Sequence, residues 1–109
     1  MNIECTDIQA VGKKFHYSVG GKEMARAYLY VLSNDMRDRP FGFMEDVFVD
    51  ESLRGQGIGS ELVKMVIEEA RRQTCYKLVC TSRYEKQEVH ALYAKLGFVD
   101  HGKEMRVDF

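Results

Sequence analysis

Three glycines, Gly55, Gly57 and Gly59, take alternate positions in the run Arg54-Gly55-Gln56-Gly57-Ile58-Gly59-Ser60. The run follows a β-branched stretch, Val47-Phe48-Val49, and opens a long amphipathic pattern. The first N–H groups of a helix have no partner within it, and the helix dipole places partial positive charge at the same end. Glycine carries no Cβ to shield those N–H groups. The chemistry of such a loop is anion binding, with a phosphate or pyrophosphate as occupant. Arg54 can add charge and Ser60 a hydroxyl. Two nucleotide motifs fail on spacing. A Walker loop needs G-x-x-x-x-G-K-[ST], but Ser60-Glu61 follows Gly59 where lysine would stand. A dinucleotide fingerprint needs G-x-G-x-x-G, but its last glycine falls on Ser60 and no βαβ unit opens the chain.

The elements that must position this loop are legible on both sides of it. Lys14 to Val19 alternates as a half-buried strand, and Gly20-Gly21 signals a two-residue hairpin. The return strand is Glu23 to Leu32, and Ser33 to Pro40 is a polar loop of turn formers. Phe41 to Val49 is a further strand, with Phe43, Glu45, Val47 and Val49 on one face if the pleat is regular. Asn2 to Gln9 is a weaker strand candidate. After the glycines, Ile58, Leu62, Val66 and Ala70 recur every four residues, which predicts a helix with an apolar stripe. Cys75 to Thr81 reads as a buried strand. A second helix runs from about Lys86 to Leu96, with Val89, Leu92, Tyr93 and Leu96 on its apolar face and Gly97 as its stop. Phe98-Val99 and Lys103 to Phe109 look like closing strands. A strand–helix–strand unit implies a parallel pair joined by a right-handed crossover, whereas the early hairpin implies antiparallel neighbours. The fold class is therefore α/β (α+β), with a mixed sheet and helices packed on it, as one domain over residues 1–109.

Composition removes several function classes. Net charge is −1 and the basic residues are scattered, so no electrostatic footprint for nucleic acid is present. No stretch approaches the ~20 apolar residues of a membrane helix. Cys5, Cys75 and Cys80 are odd in number and lack C-x-x-C spacing, which predicts free thiols in a reducing, cytoplasmic setting. His16, His90 and His101 fall in separate elements, so a zinc site, or any metal site, is not expected. Cys80 sits in an apolar strand and reads as core.

Arg54-Gly55-Gln56-Gly57-Ile58-Gly59 resembles the R/Q-x-x-G-x-G/A signature of the GCN5-related N-acetyltransferases (GNAT). Leu92-Tyr93-Ala94-Lys95-Leu96-Gly97-Phe98 resembles that family's L-Y-x-K-x-G-F segment. The two segments and the elements between them span about Phe43 to Phe109. A weaker likeness, through "EDVFVD", "CYK", "LYAKLGF" and "GKEM", is to the glucosamine-6-phosphate N-acetyltransferase branch. The resemblance implies a mostly antiparallel sheet with a central, splayed parallel pair. It also implies acetyl transfer from acetyl-CoA to a primary amine by direct attack in a ternary complex. The acceptor stays open between a small molecule, such as an amino sugar phosphate, and a peptide or protein amine.

By the same resemblance, the CoA pyrophosphate lies on the amides of Arg54 to Ser60, and the pantetheine arm pairs with Val47, Phe48 and Val49. Tyr93 maps onto the tyrosine that serves the departing thiolate, although a buried tyrosine on an apolar helix face is also ordinary core. The attacking amine must lose a proton, for which Glu45 and Asp46 are candidates and Glu45 is favoured. The position where family members often carry an asparagine that contacts CoA falls on Lys86, or is absorbed by the longer loop Ser82 to Glu88; Lys86 can reach a CoA phosphate or simply be exposed. There is little room before Lys14 for the family's two N-terminal helices, so they are reduced or absent. The acceptor side is then open, or completed by a second subunit in a homodimer. The rival reading is a catalytically weak or inactive acyl-CoA-binding module with a regulatory role.

Overall fold

The computed structural model describes residues 1–109. The hairpin comes first: β1 is Val11–Val19 and β2 is Lys22–Leu32, joined through Gly20 and Gly21 at φ 58° and 80°. Two consecutive positive φ values are what a two-residue turn needs to match the twist of its strands, and glycine supplies both without strain. The remaining elements are β3, Phe41–Val49; a short 3-10 turn, Glu51–Leu53; α1, Ile58–Arg72; β4, Leu78–Val79; and α2, Gln87–Lys95. The sheet order is β1-β2-β3-β4, antiparallel except for the parallel β3–β4 pair. No helix is long and apolar enough to cross a membrane.

Alternation along β2 puts Ala25, Ala27 and Leu29 against α1, where they are fully buried. The two alanines let the helix come close, and Leu62, Val63, Val66 and Ala70 of α1 complete the core with Met44. Gly42 is where β3, β4 and α1 converge: a Cβ there would stand 2.9 Å from Leu78 Cδ1 and 3.1 Å from Leu29 Cδ1. That close approach needs glycine. Both helices end in the same way. At α2, Gly97 takes φ 104°, its N–H donates to Ala94 O (3.1 Å) and Phe98 N–H donates to Tyr93 O (2.9 Å), a complete Schellman turn. At α1 the left-handed residue is Thr74, φ 61°, with Cys75 N–H donating to Ala70 O. Threonine gives no sequence signal for that role.

Five expectations need correction. Asn2 to Gln9 forms no strand. Phe98-Val99 and Lys103 to Phe109 form none either, and the strand expected over Cys75 to Thr81 is only Leu78–Val79. A strand exists only where a neighbour accepts its backbone bonds: the terminal segments pair with none, and the Cys75 to Thr81 segment meets β3 only through Tyr76, Lys77, Leu78 and Val79. The parallel pair accordingly stands at the sheet's edge. The regular alternation of β3 also fails. Register shifts by one between Arg26 and Tyr28, so Asp46 and Val47 together oppose Ala27, with Asp46 at φ 51°. This β-bulge turns Val47 and Val49 toward the core face, whereas Glu45, next to buried Met44, faces the opposite side.

One ion cluster ties β1 to α1. Glu69 accepts from Arg72 Nε (3.1 Å) and Gln73 Nε2 (2.8 Å) and pairs with Lys13 Nζ (3.3 Å). The Arg72 guanidinium, then the Gln73 amide, then the Lys13 ammonium hold its carboxyl at about 2, against an ordinary 4.5. A depressed folded-state value stabilises the fold above the unfolded value and is lost as pH falls through the folded one. Acid titration should therefore weaken the wild type between about 4.5 and about 2 through this group. Glu69→Gln, followed by circular dichroism, should be less stable than wild type at neutral pH and should close that gap as pH falls through the same window.

Candidate functional site

The site is built where β3 outruns its parallel neighbour. Pairing with β4 stops at Phe43↔Val79, yet β3 continues to Val49. From Met44 onward one edge of β3 has no strand beside it, and this is the splay that the family resemblance implies. The turn that follows is rigidly tied. Asp50 N–H donates to Met24 O (2.7 Å), and its carboxylate accepts from Ser52 N–H (3.1 Å) and Ser52 Oγ (2.6 Å). The Ser52 hydroxyl and amide hold the Asp50 carboxyl below the usual range. Arg54 Nε donates to Val49 O at 3.1 Å, which fastens the loop to the end of the strand.

Gly55 and Gly57 each take φ 82°, and a Cβ built on either meets nothing within 4 Å. These glycines are therefore required by backbone conformation, and the space beside them is open. Gly59 differs: its φ is ordinary and its Cβ would touch Val49 Cγ2 at 3.5 Å. Gly57 is the N-cap of α1, and Glu61 N–H to Gly57 O (3.0 Å) is the helix's first bond. That leaves the N–H groups of Ile58, Gly59 and Ser60 without intrahelical partners, and no side chain caps them. They border a hollow of about 250 Å³ that Arg54, Gly55, Ser60 and Leu92 also line. A larger hollow, about 590 Å³, lies on the other side of the loop between β1 and α1, lined by Phe15, Tyr17, Gln56 and Met65. Gln56 thus borders the larger space rather than the glycine cradle.

The Schellman turn after α2 folds Phe98 back on Tyr93, with ring centroids 5.3 Å apart. Tyr93 and Cys80 both pack against the core cluster. Burial, and then the neighbouring Cys80, pushes the Tyr93 hydroxyl up to about 12, and burial takes the Cys80 thiol to about 11. Both stay protonated through the neutral range. Tyr93 is consequently suited to donate a hydrogen bond and unsuited to act as a base.

On the opposite face of the sheet, Glu45 sits across from Tyr28, exposed and without an ion-pair partner. Asp46 is occupied: Arg26 Nε donates to one of its oxygens at 3.0 Å and Nη2 to the other at 3.3 Å. The same guanidinium lies over the Phe48 ring at 4.7 Å. Lys86 is exposed at the N-cap of α2 and lines neither hollow. The fold therefore brings Val49, Arg54, the glycines and Ser60 together around one hollow, keeps Val47 and Tyr93 on the core side, and sets Glu45 and Phe48 on the other. Sequence reasoning gave no role to Asp50, Ser52 or Leu92. The Asp-x-Ser spacing was the available signal, since an aspartate that accepts from the second residue on is an ordinary turn device.

The family model described as Acetyltransferase (GNAT) family matches residues 15–98. The chain belongs to the GNAT family. Among its GNAT relatives, the glucosamine 6-phosphate N-acetyltransferase of Trypanosoma brucei brucei is 35% identical over 99 residues, covering 90% of this chain and 65% of the relative. Glucosamine 6-phosphate N-acetyltransferase 1 of Oryza sativa subsp. japonica is 40% identical over 70 residues, covering 62% of this chain and 39% of the relative. A crystal structure of a Trypanosoma brucei acetyltransferase superposes with a TM-score of 0.77 at 35% identity, covering 92% of this chain and 69% of that one. The chain thus spans about two fifths to two thirds of the length of these two curated relatives, and the GNAT match includes both the glycine loop and the Tyr93 segment.

Proposed function

We propose that residues 1–109 act as one N-acetyltransferase domain that moves an acetyl group from acetyl-CoA to a primary amine by direct attack in a ternary complex. The observation that carries this is the junction of β3 and α1, where an unpaired strand edge runs into three uncapped helix N–H groups beside a 250 Å³ hollow. A ligand with a pyrophosphate at one end and an amide-bearing arm at the other matches both features: the N–H groups and Arg54 suit the anion, and the strand edge suits the amides. When bound, acetyl-CoA supplies an activated acyl thioester. A backbone N–H of Val47 or Phe48 polarises the acyl carbonyl. Glu45 takes the amine proton, directly or through water, from the face of the sheet opposite Tyr93. Tyr93 donates its hydroxyl hydrogen bond to the departing sulfur.

The acceptor we favour is an amino sugar phosphate, because two relatives that match most of this region or its core are named for glucosamine 6-phosphate. The second reading, an acyl-CoA-binding module without turnover, draws on the open sheet face, where Tyr30 and Glu45 are exposed rather than walled in. Calorimetry with acetyl-CoA, paired with thiol release against amino sugar phosphates, aminoglycosides, polyamines and peptides, separates the two. Binding with thiol release on glucosamine 6-phosphate is the expected result. Binding without release on any amine establishes the module instead.

A further inference from the structure

The basic residues are scattered along the sequence, but the fold gathers three of them. Arg37 and Arg39 belong to the loop between β2 and β3, and Lys77 immediately precedes β4. The Arg37 guanidinium lies over the Tyr76 ring, 4.5 Å from its centroid. The Lys77 ammonium lies 5.3 Å from the same centroid and 5.3 Å from that of Phe41. The two rings meet edge to face at 6.5 Å. Arg39 Nη2 donates to Cys75 O (3.5 Å), the carbonyl just before Tyr76. The backbone beneath is fixed, since Tyr76 N–H donates to Pro40 O and Gly42 N–H to Lys77 O, both at 2.9 Å.

None of these three cations pairs with a carboxylate. Elsewhere on the sheet and on α1 pairing is the rule: Lys14 with Glu23, Arg26 with Asp46, Lys64 with Glu61, Arg72 with Glu69. Asp35 and Asp38 share the loop with Arg37 and Arg39, yet neither forms an ion pair with them. Like charges held together repel, and a ring face attracts an exposed cation only weakly. A single cation on Tyr76 would tie the loop to β4, so two more at the same place add repulsion without adding a needed tie. An anion removes that repulsion, and a guanidinium takes a carboxylate through two parallel hydrogen bonds. Arg37, Arg39 and Lys77 are all exposed, whereas Phe41 and Tyr76 beneath them are half-buried and hold them in place. Met36, next to Arg37, is 87% exposed and offers an apolar contact beside the charges.

We infer that Arg37, Arg39 and Lys77, seated on Phe41 and Tyr76, form a docking surface for an acidic segment of a partner protein. Its carboxylates meet the three cations, and an apolar side chain beside them covers Met36. A long run of phosphates fits less well, because three cations neutralise few of them and Asp35 and Asp38 in the same loop oppose the rest. The surface stands at the start of β3, about 25 Å along that strand from Val49 and the glycine loop. A partner held there leaves the glycine cradle and the splay uncovered. The inference goes beyond the proposed activity and does not depend on it.

Fluorescence anisotropy of a labelled peptide of alternating glutamate and leucine, titrated with the full chain, tests this. Saturable binding that weakens as salt rises is expected. Arg37→Gln, Arg39→Gln and Lys77→Gln combined should raise Kd at least about tenfold. Lys22→Gln, Arg83→Gln and Lys103→Gln combined remove the same charge from exposed positions elsewhere and should leave Kd within about twofold. Tyr76→Leu keeps an apolar side chain but removes the ring face, and should raise Kd severalfold in a protein still folded by circular dichroism. No saturable binding by wild type overturns the inference. An equal loss in the two triple variants overturns it too, because the attraction then follows net charge alone. Tighter binding of a single-stranded RNA of the same charge also overturns it, since the cluster is then a nucleic-acid surface.

Discussion

Gly57→Glu is expected to lose acetyl-CoA binding, with Kd raised at least about a hundredfold, or ~3 kcal/mol. Two effects act together at this position. Gly57 holds φ 82°, a conformation that costs a residue with a Cβ about 1–2 kcal/mol and tends to shift the turn. The added carboxylate also occupies the seat proposed for the pyrophosphate, at the end of α1 where the N–H groups of Ile58, Gly59 and Ser60 are uncapped. Gly57→Ala separates the two. A Cβ at 57 meets nothing within 4 Å, so alanine introduces backbone strain with no clash and no charge. Calorimetry should show a modest loss for alanine and no measurable binding for glutamate, with both variants folded by circular dichroism. Unchanged affinity in a folded Gly57→Glu protein would mean that the anion sits elsewhere, and the larger hollow beside Phe15 and Met65 would be the place to look.

What could be read from the sequence divides along physical lines. Local chemistry was legible. Gly20-Gly21 and Gly97 each sit at positive φ in the turns expected of them, and the four-residue spacing from Ile58 to Ala70 does pack one face of α1 on the sheet. Non-local pairing was not legible. Lys103 to Phe109 has the alternation of a strand, yet whether it becomes one depends on a neighbour that no local pattern specifies. The bulge at Asp46 is intermediate. Nothing in "FMEDVFV" announces it, because Asp46 is not glycine, yet it decides which face carries Glu45. A regular pleat would put Glu45 beside Val47 and Val49 against α1, where an unpaired carboxylate would be buried at heavy cost. The bulge leaves it exposed on the other face. The same reasoning separates Glu45 from Asp46: both are carboxylates at the right place in the chain, but only the structure shows Asp46 held by Arg26.

Tyr93→Phe should lower kcat by about 10- to 100-fold while leaving KM and acetyl-CoA affinity nearly unchanged. The size follows from the hydroxyl's environment. An ordinary thiol titrates near 8.5, and Tyr93 is pushed up to about 12 by burial and then by Cys80. Full proton transfer from Tyr93 to a thiolate is therefore uphill by roughly 5 kcal/mol. In the proposed reaction Tyr93 serves better by keeping its proton and donating a hydrogen bond as charge builds on sulfur, with solvent completing the transfer. A hydrogen bond to a developing charge contributes about 1.5–3 kcal/mol, which sets the expected loss. Phenylalanine preserves the ring that packs on Phe98 and against the core, so the melting temperature should hardly move. Two readouts discriminate this role from simple packing. The wild-type kcat should show no alkaline fall from this group until pH approaches 12, because its hydroxyl stays protonated below that. The deficit of the variant should also shrink when the acyl donor is a thioester whose thiol is more acidic, since a better leaving group needs less help. A variant with full kcat on acetyl-CoA would make Tyr93 a core residue and leave the departing thiolate to water alone.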